Sequence, residues 1–238
     1  MPGLDTPIAL LPPLQHETPP SVPNHIAQIQ PWVIAHLQSS ILRGVHYEHQ
    51  LYGDITSFLA SIFPTKRQFM VKPQGLLRKA LDPDDVDLQN ASFGSTGAYH
   101  ESRHLRMYHN LSADYQNILI ICLAGSEADL FIPDFITVKV LDFQTHQLVS
   151  IVEIKRNEEV SQSRAIEQVI GYFTRAMKHP SRDSELCAYL VMGKMVHRIR
   201  MERNGNRWYL VQDPAFDMLA PGDEFTTQLC EIAIRNWN

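Results

Sequence analysis

Residues 131–155 read FIPDFITVKVLDFQTHQLVSIVEIK, and the fold turns on this stretch. Phe131 to Phe143 carries strand formers such as Phe135, Val138 and Val140, and Leu148 to Lys155 follows after a short turn at Gln144 to Gln147. The pattern predicts two strands joined by a tight connection. Asp134 stands in the first, directly after Pro133, while Glu153 and Lys155 stand two apart in the second and project to one face. If the strands pair through this turn, the ends bearing Asp134 and Glu153 can lie close together. Two carboxylates in one place repel, and a divalent cation is the usual remedy. Hard oxygen ligands suit Mg²⁺ or Mn²⁺, and Lys155 beside them can orient or help deprotonate a water and offset developing charge.

Outward from this pair, the apolar run Ile118 to Leu123 reads as a buried strand on the N-terminal side. On the C-terminal side the period changes: Ile166, Val169, Ile170, Phe173 and Met177 share one face of a predicted helix over 161–177, with Ser161 as an N-cap. Leu186 to Met192, Met195 to Met201 and Trp208 to Val211 read as strands, with Asn204-Gly205 as a hairpin turn. Phe225, Leu229, Ile232 and Ala233 mark a C-terminal helix over 224–237. Farther upstream, Leu51, Ile55, Phe58, Leu59 and Ile62 predict a helix over 46–63, whose first turn carries Glu48 on the buried side. A carboxylate there needs a metal, a cation or the helix's own free amides as a partner. Helix, three strands, helix, strands and helix make an α/β or α+β chain with a central sheet.

The expected organisation is a proline-rich flexible arm over 1–25, a tether or a docking strand for a protein partner, followed by one domain over 26–238. Residues 64–116, with Pro64, Pro73, Pro83 and an acidic cluster at Asp82 to Asp87, read as an insertion in that domain. The 44% hydrophobic and 20% charged composition predicts a soluble protein without a membrane partner. The N-terminus lacks the pattern of a secretory signal. Cys122, Cys187 and Cys230, each in an apolar stretch, read as reduced thiols, hence an intracellular setting in cytoplasm or nucleus. A net charge of −5 excludes a protein that coats nucleic acid, so any such contact must be local. Lys194, Arg198 and Arg200 form the one concentrated basic face, a candidate cradle for a phosphate backbone beside the site.

Pro133-Asp134, followed after the hairpin by Glu153-Ile154-Lys155, resembles the PD-(D/E)XK signature of restriction-endonuclease-like phosphodiesterases. The resemblance implies a restriction-endonuclease-like α/β fold, a mixed central sheet flanked by helices. It implies Asp134, Glu153 and the Ile154 carbonyl as ligands of Mg²⁺ or Mn²⁺, with Lys155 assisting the nucleophilic water. Glu48 matches an additional glutamate that members often carry on the first core helix. Gln168-Val169-Ile170-Gly171-Tyr172 matches the Gln-x-x-x-Tyr pair of the exonuclease and RecB-like branch, placing Gln168 and Tyr172 one helical turn apart in the catalytic set. The implied activity is hydrolysis of phosphodiester bonds in nucleic acid, DNA ahead of RNA. The resemblance covers 46–63 and 118–212.

Two other classes remain open. Members of the family that keep the fold without activity serve as binding or interaction modules. His100-Glu101-Ser102-Arg103-His104 matches H-E-x-x-H, the pattern of zinc metalloproteases, although Met107 and Asn110 stand where an extended motif would continue and Glu127 is the one distant ligand candidate.

Overall fold

The structure is a computed structural model that describes residues 14–44, 48–75, 132–142, 145–155, 162–179, 181–204, 207–220 and 222–238. These lie in one unit, Met1–Leu77 with Phe131–Asn238. Among the described residues a mixed sheet is flanked by helices on both faces, so the chain is of the mixed α/β class.

Two N-terminal helices, α1 (Val22–Gln28) and α2 (Pro31–Arg43), each carry proline in the first turn, where a missing amide costs no hydrogen bond. The flexible arm assigned to 1–25 therefore needs correction at its C-terminal end: helix begins at Val22, and the Gln15 carbonyl accepts from Arg67 Nη1 at 3.0 Å. Helix α2 adds to the elements expected from sequence, and its buried Val33, Leu37 and Ile41 follow a helical period. A 3₁₀ turn, Glu48–Leu51, leads into α3 (Tyr52–Ile62), so regular α-helix starts later than His46.

Strand β1 (Phe69–Pro73) lies inside the stretch read as an insertion, and among the described residues it is an edge strand of the sheet. A proline such as Pro73 ordinarily argues against a strand. At the sheet edge and at the strand's last residue, its missing amide interrupts no ladder. Strand β2 (Phe135–Val140) pairs antiparallel with β1 and with β3 (His146–Lys155). The strand expected over 118–123 lies outside the described residues. Helix α4 (Gln162–Ala176) carries the chain over the sheet to β4 (Arg182–Met192), which is therefore parallel to β3. Strands β5 (Met195–Asn204) and β6 (Arg207–Gln212) extend the sheet antiparallel, and β7 (Phe216–Asp217) pairs with β5. Helix α5 (Glu224–Arg235) closes this unit; the Asp223 side chain caps it by accepting from the Phe225 and Thr226 amides.

The sheet separates two apolar layers. Phe135, Val152, Ile154, Tyr189 and Val191 pack with Ile55, Phe58, Leu59, Phe225 and Leu229 beneath α2, α3 and α5. Ile136, Ile151, Ala188, Leu190 and Ile199 pack with Ala165, Val169 and Phe173 beneath α4. Strand β3 lies between these layers, and Leu148 through Ile154 is buried without interruption, as a strand covered on both faces must be.

Candidate active site

The β2–β3 ladder ends at Phe135, which faces Val152. One step further, Asp134 stands level with Glu153, and opposed residues of an antiparallel pair share a face. Here side chains replace the ladder. The Asp134 amide donates to Glu153 Oε2 at 2.9 Å, and the Ile154 amide donates to Asp134 Oδ2 at 2.7 Å. Lys155 Nζ lies 2.7 Å from Glu153 Oε1. The backbone of Asp134 is held from the other side by Gln74, whose amide donates to the Asp134 carbonyl at 2.6 Å from a left-handed conformation with φ 50°.

Both carboxylates are buried, Asp134 at 8% exposure and Glu153 at 1%. Burial first, and the Asp134 charge second, push Glu153 up to about 7; Lys155 and the Asp134 amide work against the shift.

Tyr172 reaches this centre from α4. Its hydroxyl accepts a hydrogen bond from Gln168, one turn earlier, and burial and then the Glu153 charge raise its pKa. From the opposite layer, the Tyr52 hydroxyl donates to Asp134 Oδ1. Tyr52 is a member of the site that the sequence motifs do not include. Its signal is nonetheless present, because Tyr52, Ile55 and Leu59 fall on the buried stripe of α3, where a phenolic hydroxyl must find an acceptor.

Asp134, Glu153, Lys155, Gln168 and Tyr172 are thus gathered by β2, β3 and α4. Glu48 opens the 3₁₀ turn before α3, and its side chain lies outside the description. The H-E-x-x-H segment and Glu127 also lie outside the described residues. Lys194 sits in the turn after Met192, the partner of Lys155, with its amine 2.9 Å from Asp217.

Arg198 and Arg200 are not beside the carboxylates. Glu153 aligns with Leu190 and Leu190 with His197, so Arg198 and Arg200, at odd offsets from His197, lie on the opposite face of the sheet. Both converge on Asp213, at 2.5 and 3.1 Å. The basic cradle expected from Arg198 and Arg200 is therefore corrected to an ion-pair cluster pointing away from the site.

The donor set fits a hard divalent cation. Two carboxylates and a nearby backbone carbonyl are oxygen ligands of the type Mg²⁺ and Mn²⁺ take, and each carboxylate oxygen keeps a lone pair beyond the hydrogen bond described. Among the described residues no group of three or more His, Cys, Asp or Glu side chains is arranged to hold an ion, so water or substrate oxygens would complete the shell. Among the same residues no helix is long and apolar enough to cross a membrane. No family model, curated protein or solved structure matches the chain.

Proposed function

We propose that the chain is a metal-dependent phosphodiesterase with a restriction-endonuclease-like architecture, acting on nucleic acid, DNA ahead of RNA. The observation that supports this reading most is the interlock of Asp134, Glu153 and Lys155 where the β2–β3 ladder ends. Asp134, Glu153 and the Ile154 carbonyl would hold Mg²⁺ or Mn²⁺. The ion would supply charge to the phosphate oxygens and lower the pKa of a bound water.

The residues of the chain do the rest. Lys155 holds the Glu153 carboxylate and supplies a cation for the negative charge that grows as a phosphate is attacked. A cation held there would favour the ionised form of Glu153, whose carboxyl is otherwise pushed up by burial. The Tyr172 hydroxyl stands within reach of these charges and Gln168 holds it from one turn earlier, an arrangement suited to orienting a water or a phosphate oxygen.

A second reading, a nuclease-like binding module without turnover, draws on one observation: all four carboxylate oxygens already have donors within the chain. The deciding experiment incubates the purified protein with labelled single- and double-stranded DNA and RNA in Mn²⁺, Mg²⁺ or EDTA, alongside Asp134→Asn and Lys155→Ala. Metal-dependent cleavage lost in both variants supports the phosphodiesterase. Binding without cleavage supports the module. Zinc content with peptide cleavage returns the question to His100, Glu101 and His104.

A further inference from the structure

The hydrogen bond from Tyr52 reaches Asp134 from α3, outside β3 and the entry to β2 that supply the amides and the lysine of the carboxylate pair. We propose that Tyr52 is a positioning residue, whose hydroxyl fixes the Asp134 carboxylate in the orientation from which it takes a divalent cation. This role rests on the metal site proposed for Asp134 and Glu153.

An aspartate carboxylate turns in a broad, two-fold torsional well, so a single hydrogen bond does not set its plane. The Ile154 amide fixes Oδ2 at 2.7 Å, and rotation about that contact remains open. The Tyr52 hydroxyl on Oδ1 closes it. Its donor is aimed by its own packing: the Tyr52 ring meets Phe135, the residue after Asp134, edge to face with centroids 5.2 Å apart. Tyr52 is the first residue of α3, between the buried Leu51 and Ile55, so donor and acceptor are both set by fully packed neighbours. A bond to a charged carboxylate is about twice as strong as one between neutral groups. Glu153 is aimed by Lys155 and the Asp134 amide, both local to the strand pair, whereas Asp134 is aimed in part by the α3 layer. Helix α3 thereby gains a direct hold on a metal ligand. Partners of this kind around ligating carboxylates typically change metal affinity about 10–100-fold when removed.

The test is Tyr52→Phe in the full chain, which keeps the ring and deletes the hydroxyl. Mn²⁺ affinity, measured by titration calorimetry, should fall about tenfold or more. Melting in metal-free buffer should shift by no more than about 4 °C. In cleavage, kcat should fall while KM for nucleic acid holds. In an Asp134→Asn background the same substitution should change Mn²⁺ affinity no further. Phe135→Leu separates the hydroxyl from the packing, since it removes the ring partner and leaves the donor; it should lower melting more than Mn²⁺ affinity. Equal losses of affinity in Tyr52→Phe and Phe135→Leu would overturn the proposal, because packing alone would explain both. So would unchanged Mn²⁺ affinity in Tyr52→Phe, with the metal-site reading intact. Absence of Mn²⁺ binding by the wild type would overturn the metal-site reading and this inference together.

Discussion

Asp134 and Glu153 clasp each other: the amide of the first donates to the carboxylate of the second at 2.9 Å, and the amide that follows Glu153 donates back to Asp134 at 2.7 Å. The ladder is continued by side chains at the point where it would otherwise fray. The two acids are therefore part of the sheet as well as its chemical end, and substitutions there act on both.

The raised pKa of Glu153 fixes a pH dependence. Between its ordinary value of 4.5 and about 7, the folded protein holds a proton that the unfolded chain has released. Stability of the metal-free protein should therefore fall as pH rises through this window, by up to about 1.4 kcal/mol per pH unit from this group. Thermal melting across pH 4.5–8 should show the slope, and Glu153→Gln should flatten it. In metal-free buffer at about pH 8, Asp134→Asn and Glu153→Gln, which each keep an acceptor oxygen for the amide they hold, should melt at or above the wild-type temperature, since either relieves the repulsion. A large loss of melting temperature in both would mark a purely structural cluster.

Lys155→Ala should reduce cleavage about 100-fold or more while Mn²⁺ binding is largely retained, because the amine offsets transition-state charge and the carboxylates hold the ion. Single-turnover assays and calorimetry on the same preparation read both quantities. Wild-type cleavage by this variant would remove Lys155 from the chemistry.

Gly75 packs against Ile136 so closely that an added Cβ would lie 2.2 Å from Ile136 Cγ1. Gly75→Ala should cost about 1–3 kcal/mol in denaturant unfolding. The damage falls beside Gln74, which holds the Asp134 carbonyl, so Mn²⁺ affinity should fall as well.

Lys139 is buried, and its ammonium donates to the carbonyls of Arg67 and Trp237 at 2.8 and 3.1 Å. Burial first, then the neighbouring Arg67 charge, lower its pKa to about 8. Between about 8 and 10.5 the unfolded chain binds the extra proton, so stability should rise with pH through this window. Melting curves from about pH 8 to 10.5 should show the rise, and Lys139→Met should abolish it.

Because Arg198 and Arg200 are committed to Asp213 on the far face, Arg198→Ala should leave the salt dependence of oligonucleotide binding unchanged. A residue contacting phosphate would reduce the slope of log K against log salt by about one on removal. A reduction of that size would restore Arg198 to the nucleic-acid surface.

The β2–β3 hairpin is legible in the sequence because two signals agree there, apolar period and a polar turn, and the same agreement reveals α3, α4 and α5. Asp134, Glu153 and Lys155 can be read for a related reason: charges inside apolar strands are costly enough to stand out. Strand β1 is hidden by Pro73, whose cost vanishes at an edge, an arrangement visible only in three dimensions. The destination of Arg198 and Arg200 is hidden too. Alternation along β5 separates Met195, His197, Ile199 and Met201 from the arginines, but it does not say which face carries Glu153; that follows from the β3–β4–β5 register. Tyr52 escapes notice because an aromatic on a buried stripe reads as packing until its hydroxyl's acceptor is known.

The adjacency of β1 and β2, with Pro73 opposite Phe135, carries a consequence for how the molecule folds. The β2–β3 hairpin closes a short loop and can form within microseconds, whereas joining β1 to it brings together segments about sixty residues apart in the sequence. Contacts so remote in sequence slow a folding reaction, and the β1 edge should dock late. Asp134 and Glu153 would then meet early, in a hairpin still open at one side, and acquire their full environment only when Gln74 arrives. Kinetic studies of refolding should accordingly find the hairpin protected against hydrogen exchange before the competence to bind Mn²⁺ appears.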